Sequence, residues 1–523
     1  MNVSSTIGSL DVPADFTDLI REHALRRPSA GAIVCGPNTV DYATLDRVSS
    51  QIANALLAAG VCPGDRIAYV GQDSEIIYEL LIGAAKCGVV LIPVNWRLAA
   101  PEIAHILRDS LCRLVFVDPV AESVLAQAQS ENDRSVDTVP LPAFATWLRG
   151  HPDTDPHIES GPDDPFLQLY TSGTTGLSKG VVIAQRSIYA ARQALLSPEA
   201  DWLDLGADDR ILVMIPSFHI AGLGWIIQGL FFGATNVMLP EFGPAAAMDA
   251  IRAHEVTVLV GVPVMFAFIL ADPTANRASL STLRMAAYGG SPIPETLLAQ
   301  CIERFGCKFL QFYGMTEAAW CITYLPPSDH TPGNPRLRSA GRAAPGVELV
   351  VRDADGNALA PGETGEIVLR SPATMVSYWN NPDATAATVI GGWLHTGDAG
   401  WIDEDGYLFL CDRIKDMIIV CGENVFPAEV ENAIVAHPAV REAAVIGVPD
   451  DKRGEAVHAF VVVHQGHSVT SRELTRFLRE RVAPFKMPAK FEFIDYVPRN
   501  ATGKILHRQL REDFWAGRQR AIN

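Results

Sequence analysis

Eleven consecutive residues, Tyr170-Thr171-Ser172-Gly173-Thr174-Thr175-Gly176-Leu177-Ser178-Lys179-Gly180, concentrate glycines, small hydroxyls and a lysine. Gly173, Gly176 and Gly180 let the backbone turn freely and come close to a ligand. The Thr and Ser hydroxyls and the bared N–H groups are donors without strong charge, and Lys179 adds a cation. Apolar runs flank the stretch. Phe166-Leu167-Gln168-Leu169-Tyr170 and Val181-Val182-Ile183 each read as a strand. Such a loop between two buried strands suits a polyphosphate. It is not the G-x-x-x-x-G-K-[ST] loop, because Lys179 is followed by Gly180. Taken alone, the string also reads as an ordinary glycine-rich hairpin.

Other short strings carry groups with chemistry to offer. Gln311-Phe312-Tyr313-Gly314-Met315-Thr316-Glu317 follows an apolar strand and ends in a carboxylate. Glu317 has the character of a hard oxygen ligand for Mg2+ on ATP, which takes one or two carboxylates plus phosphate oxygens. Tyr313 offers a flat face to a purine; the bland alternative is a strand end with an exposed glutamate. Gly392-Trp393-Leu394-His395-Thr396-Gly397-Asp398 places an Asp at a turn, which is also ordinary turn chemistry. Pro498-Arg499-Asn500-Ala501-Thr502-Gly503-Lys504-Ile505 is a polar turn with one lysine. His219 stands in an apolar segment, where a lone histidine is usually a packed core residue. Asp109-Ser110-Leu111 has the serine of a phosphopantetheine attachment site. Leu107 stands where the preceding glycine is expected, so the reading is set aside.

These motifs, in this order, resemble the adenylate-forming (AMP-binding) superfamily, in its acyl-CoA synthetase branch. From about residue 15 to 513 the chain looks most like bacterial fatty-acid–CoA ligases. The resemblance implies an α/β fold. A large N-terminal domain, 1–411, would hold two α/β subdomains and a small β-rich part; a hinge at 412–415 would lead to a small, mobile α+β C-terminal domain, 416–523. It implies that Thr171, Ser172, Gly173, Thr174, Thr175, Gly176 and Lys179 bind the triphosphate. Gly289, Gly290 and Ser291 would frame the adenine, together with Gln311, Phe312, Tyr313, Gly314 and Met315, Tyr313 lying on the ring. Thr316 and Glu317 would sit at the triphosphate and the metal. Asp398 would accept from both ribose hydroxyls, with Arg413 on the ribose and phosphate.

For the chemical steps, Lys504 would bridge the carboxylate and the α-phosphate, and Lys415 would be the hinge position. Gly422 and Glu423 would line the CoA channel in the second step. His219 would close the acyl site and open for the thiol. The acyl pocket is expected from His219, Ala221, Gly222, Trp225, Val262, Gly290 and Ala318, with Val264 and Ala319 adding wall. Ala221, Gly222 and Gly224 are expected to leave volume for a chain or ring. The reaction implied is acid + ATP + CoA → acyl-CoA + AMP + PPi with Mg2+, on a fatty acid. Alternatives are an aryl or alicyclic acid, or an acyl-AMP ligase loading a carrier protein. The segment 218–225 lacks an Asp for an ammonium group, which argues against an amino acid. No catalytic residue of the family pattern is missing, which argues against a non-catalytic nucleotide binder.

The elements that must position these groups follow from periodicity. A length of 523 residues implies more than one core. Helices over 16–27, 43–59, 76–87 and 101–110 alternate with strands over 66–70, 89–94 and 114–117, the pattern of a parallel sheet. Residues 128–164 read as a polar, proline-rich surface excursion. The βα pattern resumes from 211 to 312, turns β-rich over 341–410, and ends in a compact α+β piece with a basic tail. The net charge of −18 disfavours nonspecific nucleic-acid binding. The nine cysteines are scattered without zinc spacing and read as reduced thiols of a cytoplasmic protein. The N-terminus shows no signal peptide. Residues 211–233 carry no charge, but Pro216 and His219 make a buried helix the better reading than a membrane span. The expected partners are the acid, ATP and CoA, with a homodimer as the assembly to consider.

Overall fold

The computed structural model describes residues 16–132, 135–171, 177–200, 203–291, 293–413, 416–421, 423–450, 453–479, 481–499 and 505–516. Two large sheets carry the first three quarters of the chain. One has seven strands in the order Ser377–Tyr378, Lys179–Ala184, Pro165–Thr171, Val90–Val94, Arg66–Val70, Leu114–Val117 and Asp137–Pro140. The other has nine, in the order Arg342–Ala343, Trp320–Leu325, Lys308–Met315, Met285–Gly289, Val258–Gly261, Arg210–Val213, Thr235–Met238, Gly31–Cys35 and Asn38–Asp41. The central strands of both run parallel and are largely apolar, as strands packed under helices are.

Helices Tyr42–Ala58 and Glu75–Lys86 lie packed together between strands of the two sheets. Asp41 caps the first, its carboxylate accepting from the Thr44 N–H at 2.7 Å. The second ends in Lys86, whose side chain is wholly buried. Lys86 Nζ donates to the Asp46 carbonyl and to Ser50 Oγ, both at 2.8 Å, and lies 3.4 Å from the Asp155 carboxylate. Asp155 also accepts from Arg21 at 2.8 Å. The buried charge therefore ties both helices to the loop before the first glycine-rich strand.

A third sheet holds Glu348–Arg352, Gly365–Arg370, Trp393–Ile402, Val389–Ile390 and Leu408–Arg413. The C-terminal part forms a fourth, from Glu423–Val425, Ile418–Val420, Gly454–Val463, Val440–Asp450 and Lys490–Phe493. Helices Pro427–Val435 and Ser471–Leu478 share its separate apolar core. The result is a large N-terminal α/β domain and a small C-terminal one.

The fold corrects several sequence expectations. The segment 128–164 is not only a surface excursion: Asp137–Pro140 adds an edge strand, and Phe144 and Trp147 pack on Phe116. The hairpin Gly31–Cys35/Asn38–Asp41 joins the second sheet through Thr235–Met238, although it precedes the first sheet in sequence. Ser377–Tyr378, inside the β-rich stretch, joins the first sheet. The basic tail is a helix, His507–Trp515, anchored by Trp515 Nε1 donating to the Gly447 carbonyl at 2.8 Å. The uncharged run from Ile211 divides into a strand and the helix Ile220–Phe231. Among the described residues no helix is long and apolar enough to cross a membrane.

Replacing Lys86 by Ala leaves the Asp155 and Asp46 carboxylates without their buried cation. The variant should lose about 3–5 kcal/mol in urea unfolding monitored by circular dichroism; a loss below about 1 kcal/mol would contradict the cross-link.

Candidate active site

The glycine-rich stretch leaves one strand and enters the next. Pro165–Thr171 and Lys179–Ala184 pair antiparallel, with Thr171 opposite Lys179. Ser172, Gly173, Thr174, Thr175 and Gly176 lie outside the described residues. Helix Ala100–Ser110 braces this stem from behind. Tyr170 Oη donates to the Asp109 carboxylate at 2.6 Å, and the His105 ring bonds the Ser178 carbonyl at 2.9 Å. Trp379 Nε1 donates to the Asp109 carbonyl at 2.9 Å. Burial, with Asp109 beside it, holds the Tyr170 phenol protonated far above its usual range. Ser110 is fully buried and turned onto its own helix, so it is no attachment site.

The second string forms the end of strand Lys308–Met315 and the turn Thr316–Ala318. The return strand, Trp320–Leu325, comes close: a Cβ on Gly314 would lie 1.7 Å from the Trp320 carbonyl oxygen. Only glycine fits there. Ala319 takes a left-handed conformation, φ 57°, to make the turn. Glu317 is buried, and its Oε1 accepts from Tyr378 Oη at 2.7 Å. Lys179 Nζ lies 4.9 Å over the Tyr378 ring. The phosphate-loop lysine and the candidate metal carboxylate thus meet on one tyrosine. Among the described residues no three metal-binding side chains cluster. A single carboxylate beside a triphosphate loop fits an Mg2+ whose other ligands are phosphate and water.

Tyr313 Oη donates to Asp398 Oδ2 at 2.7 Å. The candidate adenine and ribose residues come from different sheets and touch. Asp398 stands opposite Arg413 across the strand pair, so the backbone sets those two side by side. Gly397 turns with φ 69°, its N–H donating to Glu366 Oε1 at 3.2 Å. Gln311 accepts from Tyr288 Oη at 3.0 Å. A Cβ on Gly289 would lie 2.6 Å from the Phe312 carbonyl oxygen, and Gly290 and Ser291 follow at the strand end.

His219 caps helix Ile220–Phe231. Its Nε2 is buried with no hydrogen-bond partner among the described residues. Burial, and secondarily Arg97, push the imidazole down to about 4, so it is neutral at pH 7. Two residues earlier, the Ser217 N–H donates to both Asp73 carboxylate oxygens, at 3.1 and 3.2 Å, and Ser217 Oγ also donates to Asp73. Burial pushes the Asp73 carboxyl up to about 6. Trp225, Phe312 and Trp320 pack together, centroids 5.1–5.7 Å apart.

Here the glycine expectation fails. A Cβ on Gly222 would lie 2.3 Å from the Ile215 carbonyl, and one on Gly224 would lie 3.2 Å from the Trp320 indole. These glycines admit backbone and tryptophan, not ligand volume. Val264 is exposed. Ala221 is half-buried; Val262, Ala318 and Ala319 are buried, and Val262 lies 3.4 Å from a Cβ built on Gly290. Lys415, Gly422 and Lys504 lie outside the described residues. The flanks of the last are joined by the Arg499–Ile505 bridge, and Glu423 is exposed at the start of a short strand. Sequence reasoning missed Tyr378, Trp320 and Asp73.

Fold and site together define a two-domain ATP-using enzyme, with a large α/β part and a small α+β C-terminal part. The chain belongs to the AMP-binding enzyme family: the family model matches residues 20–379, and the model of its C-terminal domain matches 429–504. It is similar to a fatty acid–[acyl-carrier-protein] ligase, ScoC, of Streptomyces coeruleorubidus, 48% identical over 96% of each chain. It is 36% identical to the long-chain-fatty-acid–CoA ligase FadD13 of Mycobacterium tuberculosis, over 95% of this chain and 98% of the relative. The structure of o-succinylbenzoate coenzyme A synthetase from Bacillus subtilis with ATP and magnesium superposes with TM-score 0.83 at 33% identity, over 94% of this chain and 98% of that one. It is thus a ligase of the acyl-CoA synthetase branch, joining a carboxylic acid to a thiol through an acyl-AMP.

The buried histidine has a consequence for acid stability. Its folded value, about 4, lies below the ordinary 6.5, so the unfolded chain binds the extra proton between them. Stability from this group is present above pH 6.5 and lost as pH falls toward 4, by on the order of 3 kcal/mol. Asp73 acts oppositely: raised from 3.8 to about 6, it favours the fold as pH falls through that window. His219→Gln should therefore lose less stability than the parent between pH 7 and 4.5 in urea unfolding; equal losses would refute the assignment.

Proposed function

We propose that the chain activates a fatty acid with ATP and passes the acyl group to a phosphopantetheine thiol, in the cytoplasm. The observation that carries the nucleotide part is the Tyr313–Asp398 contact at 2.7 Å, which sets the candidate adenine and ribose groups on one wall. The fatty acid is supported by two relatives, at 48% and 36% identity, both named for fatty acids, and by a neutral His219 at the start of an apolar helix. In the first step the acid's carboxylate oxygen attacks the α-phosphorus of ATP, and pyrophosphate leaves with the electrons of the broken P–O bond. Mg2+, held by Glu317 and the phosphates, would supply charge neutralisation there. Lys179 and the hydroxyls of the loop bind the phosphates, while Lys504 offsets the charge developing at phosphorus.

The acyl-AMP is a mixed anhydride with an activated carbonyl. In the second step the thiol sulfur attacks that carbonyl, its proton passes to solvent or base, and AMP leaves. Residues 416–523 would turn about the 412–415 hinge, at Lys415, withdrawing Lys504 and bringing Gly422 and Glu423 to the thiol channel. CoA is the thiol of the first reading, as in the fatty-acid–CoA relative. A second reading has direct support: the 48%-identical relative is named for transfer to an acyl-carrier protein.

Incubation with MgATP and a panel of fatty, aryl and alicyclic acids, with CoA or a phosphopantetheinylated carrier, followed by mass spectrometry, separates the readings. Fatty acyl-CoA establishes the first; acyl-AMP that reaches only the carrier establishes the second; failure to release pyrophosphate with any acid defeats both. Lys504→Ala should slow adenylation by roughly 10²-fold or more, yet spare thioester formation from supplied acyl-AMP. Equal loss of both half-reactions would remove the hinge assignment.

A further inference from the structure

The segment 372–380 is fastened on both sides of the site. Towards the phosphate loop, the Trp379 N–H donates to the Gly180 carbonyl at 2.7 Å and the Val376 N–H to the Val182 carbonyl at 2.9 Å. Towards the metal turn, the Met375 N–H donates to the Glu317 carbonyl at 2.8 Å. Arg186 holds the beginning of the segment through the Pro372 and Thr374 carbonyls, at 2.6 and 3.0 Å. Thr385 Oγ1 accepts from the Tyr378 N–H at 3.0 Å. Tyr378 therefore has little freedom. Its ring is buried under Lys179 Nζ, and its hydroxyl donates to Glu317 Oε1 at 2.7 Å. Glu317 Oε2 makes no hydrogen bond to a described residue.

We propose that Tyr378 is the positioning residue for the metal carboxylate: it fixes one oxygen of Glu317, leaves the other for Mg2+ on ATP, and couples that carboxylate to the phosphate-loop lysine. The inference rests on the nucleotide part of the proposed function and on neither the acid nor the thiol. A carboxylate that must rotate loses part of its affinity in being ordered, and a partner on one oxygen removes that cost. A phenol serves this purpose better than a cation. It donates one directed hydrogen bond and leaves the carboxylate's charge for the metal. Its ring face, with Lys179 above, places the loop cation near the carboxylate without an ion pair that would compete with Mg2+.

The experiment reads binding rather than turnover. Mn2+ is titrated by electron paramagnetic resonance into the full-length protein, with α,β-methylene-ATP as the nucleotide. Tyr378→Phe keeps the ring and removes one oxygen. It should weaken Mn2+ binding about ten- to a hundredfold, while affinity for the nucleotide in EDTA, the KM for the acid and thioester formation from acyl-AMP stay within about twofold of the parent. Mn2+ affinity unchanged in a variant with the parent's melting temperature overturns the proposal. Glu317→Gln and the double variant complete a cycle that remains informative if Tyr378→Phe is less stable. If Tyr378 acts through Glu317, adding Tyr378→Phe to Glu317→Gln costs nothing further; additive losses overturn the proposal. No binding of Mn2+ with nucleotide by the parent protein would overturn the nucleotide reading, and this inference with it.

Discussion

The segment that runs from Pro372 to Asn380 holds the candidate site together, because it hydrogen-bonds to the exit strand of the phosphate loop and to the turn of Glu317 at once. Those two elements belong to different sheets. The two sheets share one buried core, and the backbone hydrogen bonds of this segment add a direct tie at the site, fixing the stem of the glycine-rich loop relative to Glu317. The same logic recurs at Asp109, which receives Tyr170 from the loop stem on its carboxylate and Trp379 from the bridging segment on its carbonyl.

Buried charge performs the equivalent task deeper in the domain. Lys86 and Asp155 join two helices and a long connection, and Asp73 joins the loop after Arg66–Val70 in one sheet to the turn before His219 in the other. Such groups add little net stability over an apolar core of equal volume, but they are expensive to leave unpaired, so they discriminate strongly against displaced arrangements. The net charge of −18 does not exclude a local anion site, because distant surface charge is screened while a cation such as Lys179 acts at short range.

On the acyl side, aromatic packing takes the place that small residues suggested. Trp320 comes to lie against Gly224 because Gly314 lets its own return strand approach so closely, and Trp225 and Phe312 then close around it. The metal turn and this aromatic cluster are consecutive in the chain, with Ala319 between them in a left-handed conformation. The packing of the aromatic cluster and the position of the Glu317 carboxylate are therefore linked through one short stretch of backbone.

By itself the sequence determined the parts. The strands at Arg66–Val70 and Leu114–Val117 were legible to the residue, because a short apolar run bounded by polar residues suffices where burial is uniform. The glycine-rich string, Glu317 and Asp398 could be singled out as candidates because their residue types stand out locally. Only the tertiary structure decided which strands become neighbours and what fills each gap. Gly31–Cys35 pairs with a strand some two hundred residues later, Ser377–Tyr378 closes the sheet of the phosphate loop, and Gly222 and Gly224 receive a carbonyl and an indole. Tyr378 was invisible to sequence for the same reason. A hydrogen bond between residues 61 positions apart depends on how two sheets dock, and no local pattern carries that information.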